Sequence, residues 1–328
     1  MLHVTNGGAA VAVLQHAAIE GEALSWDDVL HEGPVRGDLT PAERRAERAA
    51  FIAGAGWASD AASAEAAFTA RDNRLAAAVR EGEPVALWFE HDLYDQWQLV
   101  EVLTHVAAIA GADADVELVL TSDYIGEFRP GAVYAAWDAR TRCAALHLDT
   151  AWRAWRALTG SDPRAINALR DEPTGALPHL HAALTRHAEE FPDVSTGLSR
   201  TERQLLEALD PGARPLRELF VATHHARETS TFLGDTVFLS VVARLARAAT
   251  PLVRAAAAPA ATGAPGAALP RDSWARALAL TDAGRAALAG TLDHARTNRV
   301  SRWLGGVALG GDAPDWRWDP DAEKVVRR

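Results

Sequence analysis

Residues 85–98 read VALWFEHDLYDQWQ, and this stretch decides the fold of the front half of the chain. Its first five residues are apolar strand formers, and the polar run EHD at 90–92 follows them directly. A short continuous apolar run that ends in polar residues is typical of a buried strand in a parallel sheet. Ligands of open α/β sheets bind outside the carboxyl ends of such strands, so a site is expected immediately after residue 89.

The sequence around this stretch alternates between strand and helix patterns. LHVT at 2–5 and VELVL at 116–120 are further strand candidates, and a Gly-Gly turn at 7–8 leads from the first into an alanine-rich helix. TPAE at 40–43 has the threonine, proline and glutamate of a capping box that starts another helix. This alternation predicts an α/β domain over residues 1–149, with a mainly parallel sheet and flanking helices.

The rest of the chain predicts helices followed by a smaller mixed module. Tryptophans and leucines recur at helical spacing over residues 150–194, which predicts a helical connector. Residues 195–328 show three helical patterns, then two short strands around a Pro/Gly/Ala loop at 255–270 that is predicted to be mobile. The last helix begins LTDAGR at 280–285 and is similar to the one that closes a winged helix-turn-helix. This module is therefore predicted to be winged-helix-like, with a tryptophan-rich hairpin over 302–319.

Composition and charge restrict the function classes. Charged residues interrupt every apolar run before 18 residues, and the amino terminus lacks the basic start of a secretory signal. We therefore expect no membrane span and a cytoplasmic location. Cys143 is the single cysteine, which excludes an intramolecular disulfide and a thiolate metal site.

The charge is divided unevenly along the chain. Residues 1–194 carry 15 basic and 30 acidic side chains, whereas residues 195–328 carry 18 and 14. An acidic surface repels a phosphate backbone. Any DNA partner would therefore bind through residues 195–328 only.

Polar side chains lie at the ends of three predicted strands, and parallel strands bring their carboxyl ends to one edge of a sheet. Crowded carboxylates raise one another's pKa, so this edge can carry acid–base chemistry. The same oxygens, with one or two imidazoles, can hold a divalent metal. The candidate residues are His3, Asn6 and Gly7 at the strand over 2–5, Asp28, His31 and Glu32 after a second strand predicted at 24–26, and Glu90, His91, Asp92, Asp95 and Gln96 after the strand over 85–89.

Chemistry assigns roles within this set. His91, His31 and Glu90 are the candidate catalytic groups, and Asp92 is the candidate metal ligand. The other members of the set are candidate ligand-binding residues: His3, Asn6, Gly7, Asp28, Glu32, Asp95 and Gln96. A structural alternative stays open, in which the aspartates cap the following helices and the histidines hydrogen-bond to buried carbonyls.

Three functions fit these residues. The first is binding of a small anionic or nucleotide-like ligand, with a divalent metal as cofactor and hydrolysis or group transfer as the reaction if the protein is an enzyme. The second is a ligand-sensing regulator that binds DNA through the third helix of the C-terminal module, where Arg244 and Arg247 are the basic side chains. The third is a non-enzymatic interaction protein, in which the polar cluster only caps helices.

Four segments carry a resemblance to a known family: LHVTNG at 2–7, WDDVLHEGPV at 26–35, LWFEHDLYDQ at 87–96 and EEFPDVSTGLSRTERQLLEAL at 189–209. In them the chain resembles the bacterial family known as domain of unknown function 1835. Members commonly have an aspartate where this chain has Gly8 and a basic residue where it has Asp27. The resemblance implies the same architecture over most of the chain, and it implies no activity because the family has none established.

Overall fold

The structure is a computed structural model that describes residues 1–256 and 271–328. Most of the Pro/Gly/Ala loop predicted at 255–270 lies outside the described residues. The strands are β1 (Leu2–Thr5), β2 (Glu22–Ser25), β3 (Gly33–Pro34), β4 (Val85–Phe89), β5 (Val116–Leu120), β6 (Thr141–Arg142), β7 (Arg214–Pro215), β8 (Val253–Ala255), β9 (Ala277–Leu280), β10 (Arg302–Gly305), β11 (Val307–Leu309), β12 (Trp316–Asp319) and β13 (Lys324–Arg327). The helices are α1 (Gly8–His16), α2 (Pro41–Gly54), α3 (Ala61–Arg80), α4 (Leu93–Ala110), α5 (Pro130–Asp138), α6 (Ala145–Thr159), α7 (Arg164–Arg170), α8 (Leu180–Ala188), α9 (Arg200–Leu209), α10 (Leu216–Phe220), α11 (Asp235–Arg247), α12 (Asp282–Leu288) and α13 (His294–Thr297).

The front half folds around a five-stranded sheet with the order β2–β1–β4–β5–β6. The first four of these strands run parallel, and β6 is an antiparallel edge strand. This arrangement confirms the predicted mainly parallel sheet with flanking helices. Since β2 and β4 lie on opposite sides of β1, the strand order reverses between β1 and β4. Such a reversal opens a crevice outside the carboxyl ends of the two strands.

Strand β4 lies at the centre of this sheet, and all five of its residues are buried. Leu87 and Phe89 belong to the core that includes α3 and α4, whereas Ala86 and Trp88 pack on the other face with Leu14 of α1. Both faces of the strand are therefore covered by helices. This explains why the sequence of β4 is apolar throughout instead of alternating.

The sequence QLVEVLTHVAAIA at 98–110 predicts an amphipathic helix, and helix α4 begins five residues earlier, at Leu93. Its first turns are buried on every side, which hides the period that marks an amphipathic helix. Asp92 is the N-cap and accepts a hydrogen bond from the Asp95 amide at 3.0 Å. Asp95 and Gln96 therefore lie in the first helical turn, where their positions are fixed by the helix.

Capping boxes are present at two helix starts. Thr40 and Glu43 form the predicted one at the start of α2, and Ser199 and Glu202 form another at the start of α9. The alanine-rich sequence that continues from α2 to about residue 80 predicts uninterrupted helix, and the structure divides it into α2 and α3. Among the described residues, no helix is long and apolar enough to cross a bilayer.

The C-terminal part contains small antiparallel sheets between its helices. Strands β7, β9 and β8 form one sheet in that order. The tail forms two hairpins, β10–β11 and β12–β13, where a single tryptophan-rich hairpin was predicted. Strand β10 also pairs in parallel with β3, with Leu304 opposite Gly33. Gly305 has a φ of +59°, and a side chain there would collide with the Leu158 carbonyl, so this close approach requires glycine.

Candidate functional site

Three carboxylates meet where β4 ends and α4 begins. Glu90, Asp92 and Asp95 each offer an oxygen, and these oxygens lie within 4.8 Å of one another. The three residues are 5%, 4% and 0% exposed. This cluster, the rim trio, lies at the strand-order reversal between β1 and β4.

Backbone and side-chain N–H groups orient each carboxylate of the rim trio. Asp95 accepts hydrogen bonds from the Glu90 amide at 2.7 Å and from Asn6 Nδ2 at 2.8 Å. Glu90 Oε1 accepts one from the Ile125 amide at 2.8 Å. The loops after β1, β4 and β5 therefore hold the trio together.

Burial is the largest cause of a raised pKa at all three carboxylates. It raises the pKa of Asp92 to about 7, with the neighbouring Glu90 charge adding to the effect. The pKa of Asp95 is raised well above its ordinary value by burial and by the charges of Asp92 and Glu90, and the pKa of Glu90 is also raised. The rim trio therefore either keeps protons or binds a cation near neutral pH.

The other buried carboxylates of this arginine-rich chain are treated differently. Within residues 1–256 and 271–328, no arginine, lysine or histidine forms an ion pair with the rim trio. Glu202 is also buried, and its carboxylate forms the capping box of α9. Five other buried carboxylates each pair with an arginine: Asp28 with Arg48, Glu32 with Arg302, Glu101 with Arg71, Glu190 with Arg186, and Asp193 with Arg203. The rim trio is thus a concentration of buried negative charge that the described fold does not neutralise.

Two hollows open beside the rim trio. The smaller has a volume of about 340 Å³ and is lined by His91 and Asp92 together with Arg186, Arg200 and Glu228. The larger has a volume of about 800 Å³ and includes residues of the loop after β5, such as Tyr124. His91, Glu228 and Thr229 line both hollows. Their sizes fall in the range of small-molecule sites.

His91 stands between these hollows as a half-buried side chain. Its ring lies 5.3 Å from that of Tyr124 and 6.0 Å from that of His179. Its Nδ1 is buried without a hydrogen-bond partner among the described residues. Burial lowers the pKa of His91, and Asp123 partly opposes this shift. The imidazole is therefore neutral at pH 7 and can accept a proton.

Asn6 and Gln96 adjoin the rim trio as well. Tyr94 Oη donates to the Asn6 carbonyl at 3.2 Å, and Gln96 Nε2 donates to the Glu90 carbonyl at 2.6 Å. Gly7 is the N-cap of α1. The structure therefore brings together the candidates that follow β1 and β4, with His91 at their side.

The structure directs four other candidates elsewhere. His3 lies within β1, where it accepts from Trp88 Nε1 at 3.0 Å and contacts the Glu20 carbonyl at 3.1 Å. Asp28 is bound to Arg48 at 2.6 Å. Neither side chain reaches the rim trio in the hydrogen bonds of the described residues.

Glu32 and His31 face the interior between the front half and the tail. Glu32 pairs with Arg302 at 2.7 Å and with Arg244 at 3.3 Å. The His31 ring lies 5.1 Å from that of Phe232, and neither of its nitrogens has a partner among the described residues. Burial lowers the pKa of His31 to about 3.

Helix α11, which carries the DNA-binding candidates, packs toward the front half. Trp57 Nε1 donates to Ser240 Oγ at 2.9 Å, and Arg244 is the partner of Glu32. Arg247 lies half-buried in the last turn of the same helix. Ser240 and Arg244 of helix α11 are thus in contact with residues of the front half.

Sequence reasoning missed the walls that the middle and C-terminal parts contribute to the hollows. Arg186 comes from α8, Arg200 from α9, and Glu228 from the segment before α11. Arg200 lies in the segment 189–209 that carried the family resemblance, which was the one available signal. Arg186 and Glu228 have no local pattern that separates them from ordinary surface residues.

Fold and site together define an α/β protein with a buried acidic cluster at its strand-order reversal. No protein-family model matches the chain, and no curated protein is significantly similar to it. Its function has to be argued from the chemistry of the rim trio and the hollows.

Proposed function

We propose that this is a cytoplasmic protein that binds a divalent cation at the rim trio and, through that cation, a small anionic or nucleotide-like ligand. One observation carries the proposal. Glu90, Asp92 and Asp95 are buried together without an ion-pair partner among the described residues. A divalent cation would supply the missing charge, and carboxylate oxygens are the ligands that Mg²⁺ and Mn²⁺ prefer.

The hydrogen bonds of the rim trio leave room for such a cation. Each carboxylate has about four lone-pair directions, and the N–H donors described above occupy one or two of them. Three carboxylate oxygens would fill half of an octahedral shell. The open positions would face water or an anionic group of the ligand.

His91 supplies the acid–base chemistry in this proposal. It borders both hollows, and its lowered pKa keeps the imidazole neutral at physiological pH. It would take a proton from a water or hydroxyl group that attacks the bound ligand. Hydrolysis or group transfer is the corresponding reaction class.

We also propose a winged-helix-like module in residues 195–328, and membership of the family that the four segments resemble. The order β7–β9–β8 with α9, α10, α11 and α12 around it supports the first proposal. The module would serve as a wall of the ligand site, since its residues Arg200 and Glu228 line the smaller hollow.

A manganese titration of the Asp92→Asn variant tests the proposed cation site. Asparagine still caps α4 but removes the charge, so Mn²⁺ affinity should fall at least about tenfold. Wild-type protein should gain about 2.7 kcal/mol in unfolding free energy when free Mn²⁺ is 100 times its Kd. Calorimetric titration and thermal unfolding measure the two quantities.

Asp60→Asn is the matched control, because Asp60 is an exposed N-cap of α3 remote from the rim trio. It should bind Mn²⁺ as the wild type does. Equal affinity of the wild type and Asp92→Asn, or no binding by the wild type at millimolar Mn²⁺, would remove the proposal.

A further inference from the structure

The carboxylate of Glu228 is held between two arginines at the smaller hollow. Arg186 Nε lies 3.1 Å from both oxygens of Glu228, and Arg186 Nη2 lies 2.8 Å from one of them. Arg200 Nη2 approaches the other oxygen at 3.3 Å. The Glu228 side chain is 2% exposed, and that of Arg186 is 9% exposed. This is the forked arrangement with which arginines bind carboxylates and phosphates.

Neither arginine depends on Glu228 for a counter-charge. Arg186 also pairs with Glu190 at 2.8 Å and donates to Thr201 Oγ1 at 2.7 Å. Arg200 also pairs with Glu189 at 2.7 Å. Each arginine therefore keeps another carboxylate partner when Glu228 is withdrawn.

Glu228 also differs from these other carboxylates in the backbone that carries it. Glu189 is the C-cap of α8 and Glu190 follows it, whereas Glu228 belongs to an irregular segment before α11. Thr229 and Ser230 of that segment line the same hollow, as do His91 and Asp92. A shift of this segment would withdraw one carboxylate and leave the paired arginines facing the hollow.

We infer that Arg186 and Arg200 form an oxyanion subsite, that Glu228 occupies it as an internal substitute, and that a phosphate or carboxylate group of the ligand displaces Glu228. The inference rests on the proposed function for the identity of the ligand, because Asp92 of the rim trio lines the same hollow. The inference adds to the proposed function the place where the anionic group of the ligand binds.

A tethered carboxylate competes with free anions at a high effective concentration. The wild-type protein is therefore expected to bind free inorganic phosphate weakly. The Glu228→Gln variant removes the competing charge but keeps a side chain of similar size. It should bind phosphate at least about tenfold more tightly than the wild type.

The experiment is a calorimetric titration of metal-free full-length protein with inorganic phosphate, acetate and sodium chloride at matched ionic strength. Glu207→Gln is the matched control, because Glu207 pairs with exposed Arg227 and does not line the smaller hollow. It should behave like the wild type. Adding Arg200→Gln to Glu228→Gln should abolish the gain.

Tighter phosphate binding alone assigns the subsite to phosphate groups, and tighter acetate binding as well extends it to carboxylates. The inference is overturned if the Glu228→Gln variant binds neither phosphate nor acetate more tightly than it binds chloride. If Glu228→Gln does not fold by circular dichroism, Glu228→Asp takes its place, since the shorter side chain weakens the grip of the arginines. No gain with Glu228→Asp overturns the inference equally. Because no metal is present, failure of the manganese titration leaves this result unaffected.

Discussion

The Asp92→Asn variant should be about 4 kcal/mol more stable to unfolding than the wild type at pH 8, and nearly equally stable near pH 4. Burial raises the pKa of Asp92 from 3.8 to about 7 in the folded protein. A folded-state pKa above the unfolded value contributes stability that is present below the unfolded value and is lost as pH rises through about 7. Asparagine removes this loss and keeps the N-cap hydrogen bond.

Urea unfolding at pH 4, 6 and 8 with EDTA present measures this difference. The Asp60→Asn control should not gain stability relative to the wild type as the pH rises, because Asp60 is an exposed cap and its hydrogen bonds from Ser63 lower its pKa. If the difference in unfolding free energy between Asp92→Asn and the wild type does not change with pH, ionisation of Asp92 does not destabilise the folded protein. The metal proposal would then lose its physical basis.

The His31→Phe variant should resist acid better than the wild type, by about 3 kcal/mol in unfolding free energy at pH 4.5. Burial lowers the pKa of His31 to about 3, and the pKa values of His187 and His224 are lowered to about 3 as well. Their neutral forms contribute stability that is present above the unfolded value of 6.5 and declines as pH falls toward 3. Phenylalanine cannot be protonated and fits between the rings of Tyr94 and Phe232.

Unfolding free energies at pH 7.5, 5.5 and 4.5 follow this effect. Exposed His16 provides the control, and His16→Gln should leave the acid dependence unchanged. The raised pKa values of the rim trio change the unfolding free energy in the opposite direction over the same pH range. Each variant is therefore compared with the wild type at each pH. If the unfolding free energies of His31→Phe and the wild type fall in parallel as the pH is lowered, protonation of His31 does not contribute to acid unfolding.

The centre of the sheet could be predicted because β4 is a continuous apolar run with a polar end. Both faces of this strand are covered by helices. The two-residue strands β3 and β6 have no such pattern and depend on partners supplied by the fold. The pairing of β3 with β10 joins residues about 270 positions apart, which local sequence does not encode.

The candidate site was predictable to the extent that it follows strand ends. Asn6, Glu90, Asp92 and Asp95 lie together because β1 and β4 are neighbours. Glu32 follows the same logic in sequence, yet Arg302 and Arg244 from the distant C-terminal part bind it. One part of the hollow walls was equally hidden, since Arg186, Arg200 and Glu228 come from the second half of the chain.

Manganese anomalous diffraction at pH 8 tests the cation site most directly. The proposal predicts one strong Mn²⁺ peak at about 2.0–2.6 Å from oxygens of Glu90, Asp92 and Asp95 in wild-type crystals, and no such peak in Asp92→Asn crystals. A wild-type crystal soaked in millimolar Mn²⁺ without a peak at the rim trio would contradict it. The three carboxylates would then be structural groups that cap helix α4 and join the loops after β1 and β5.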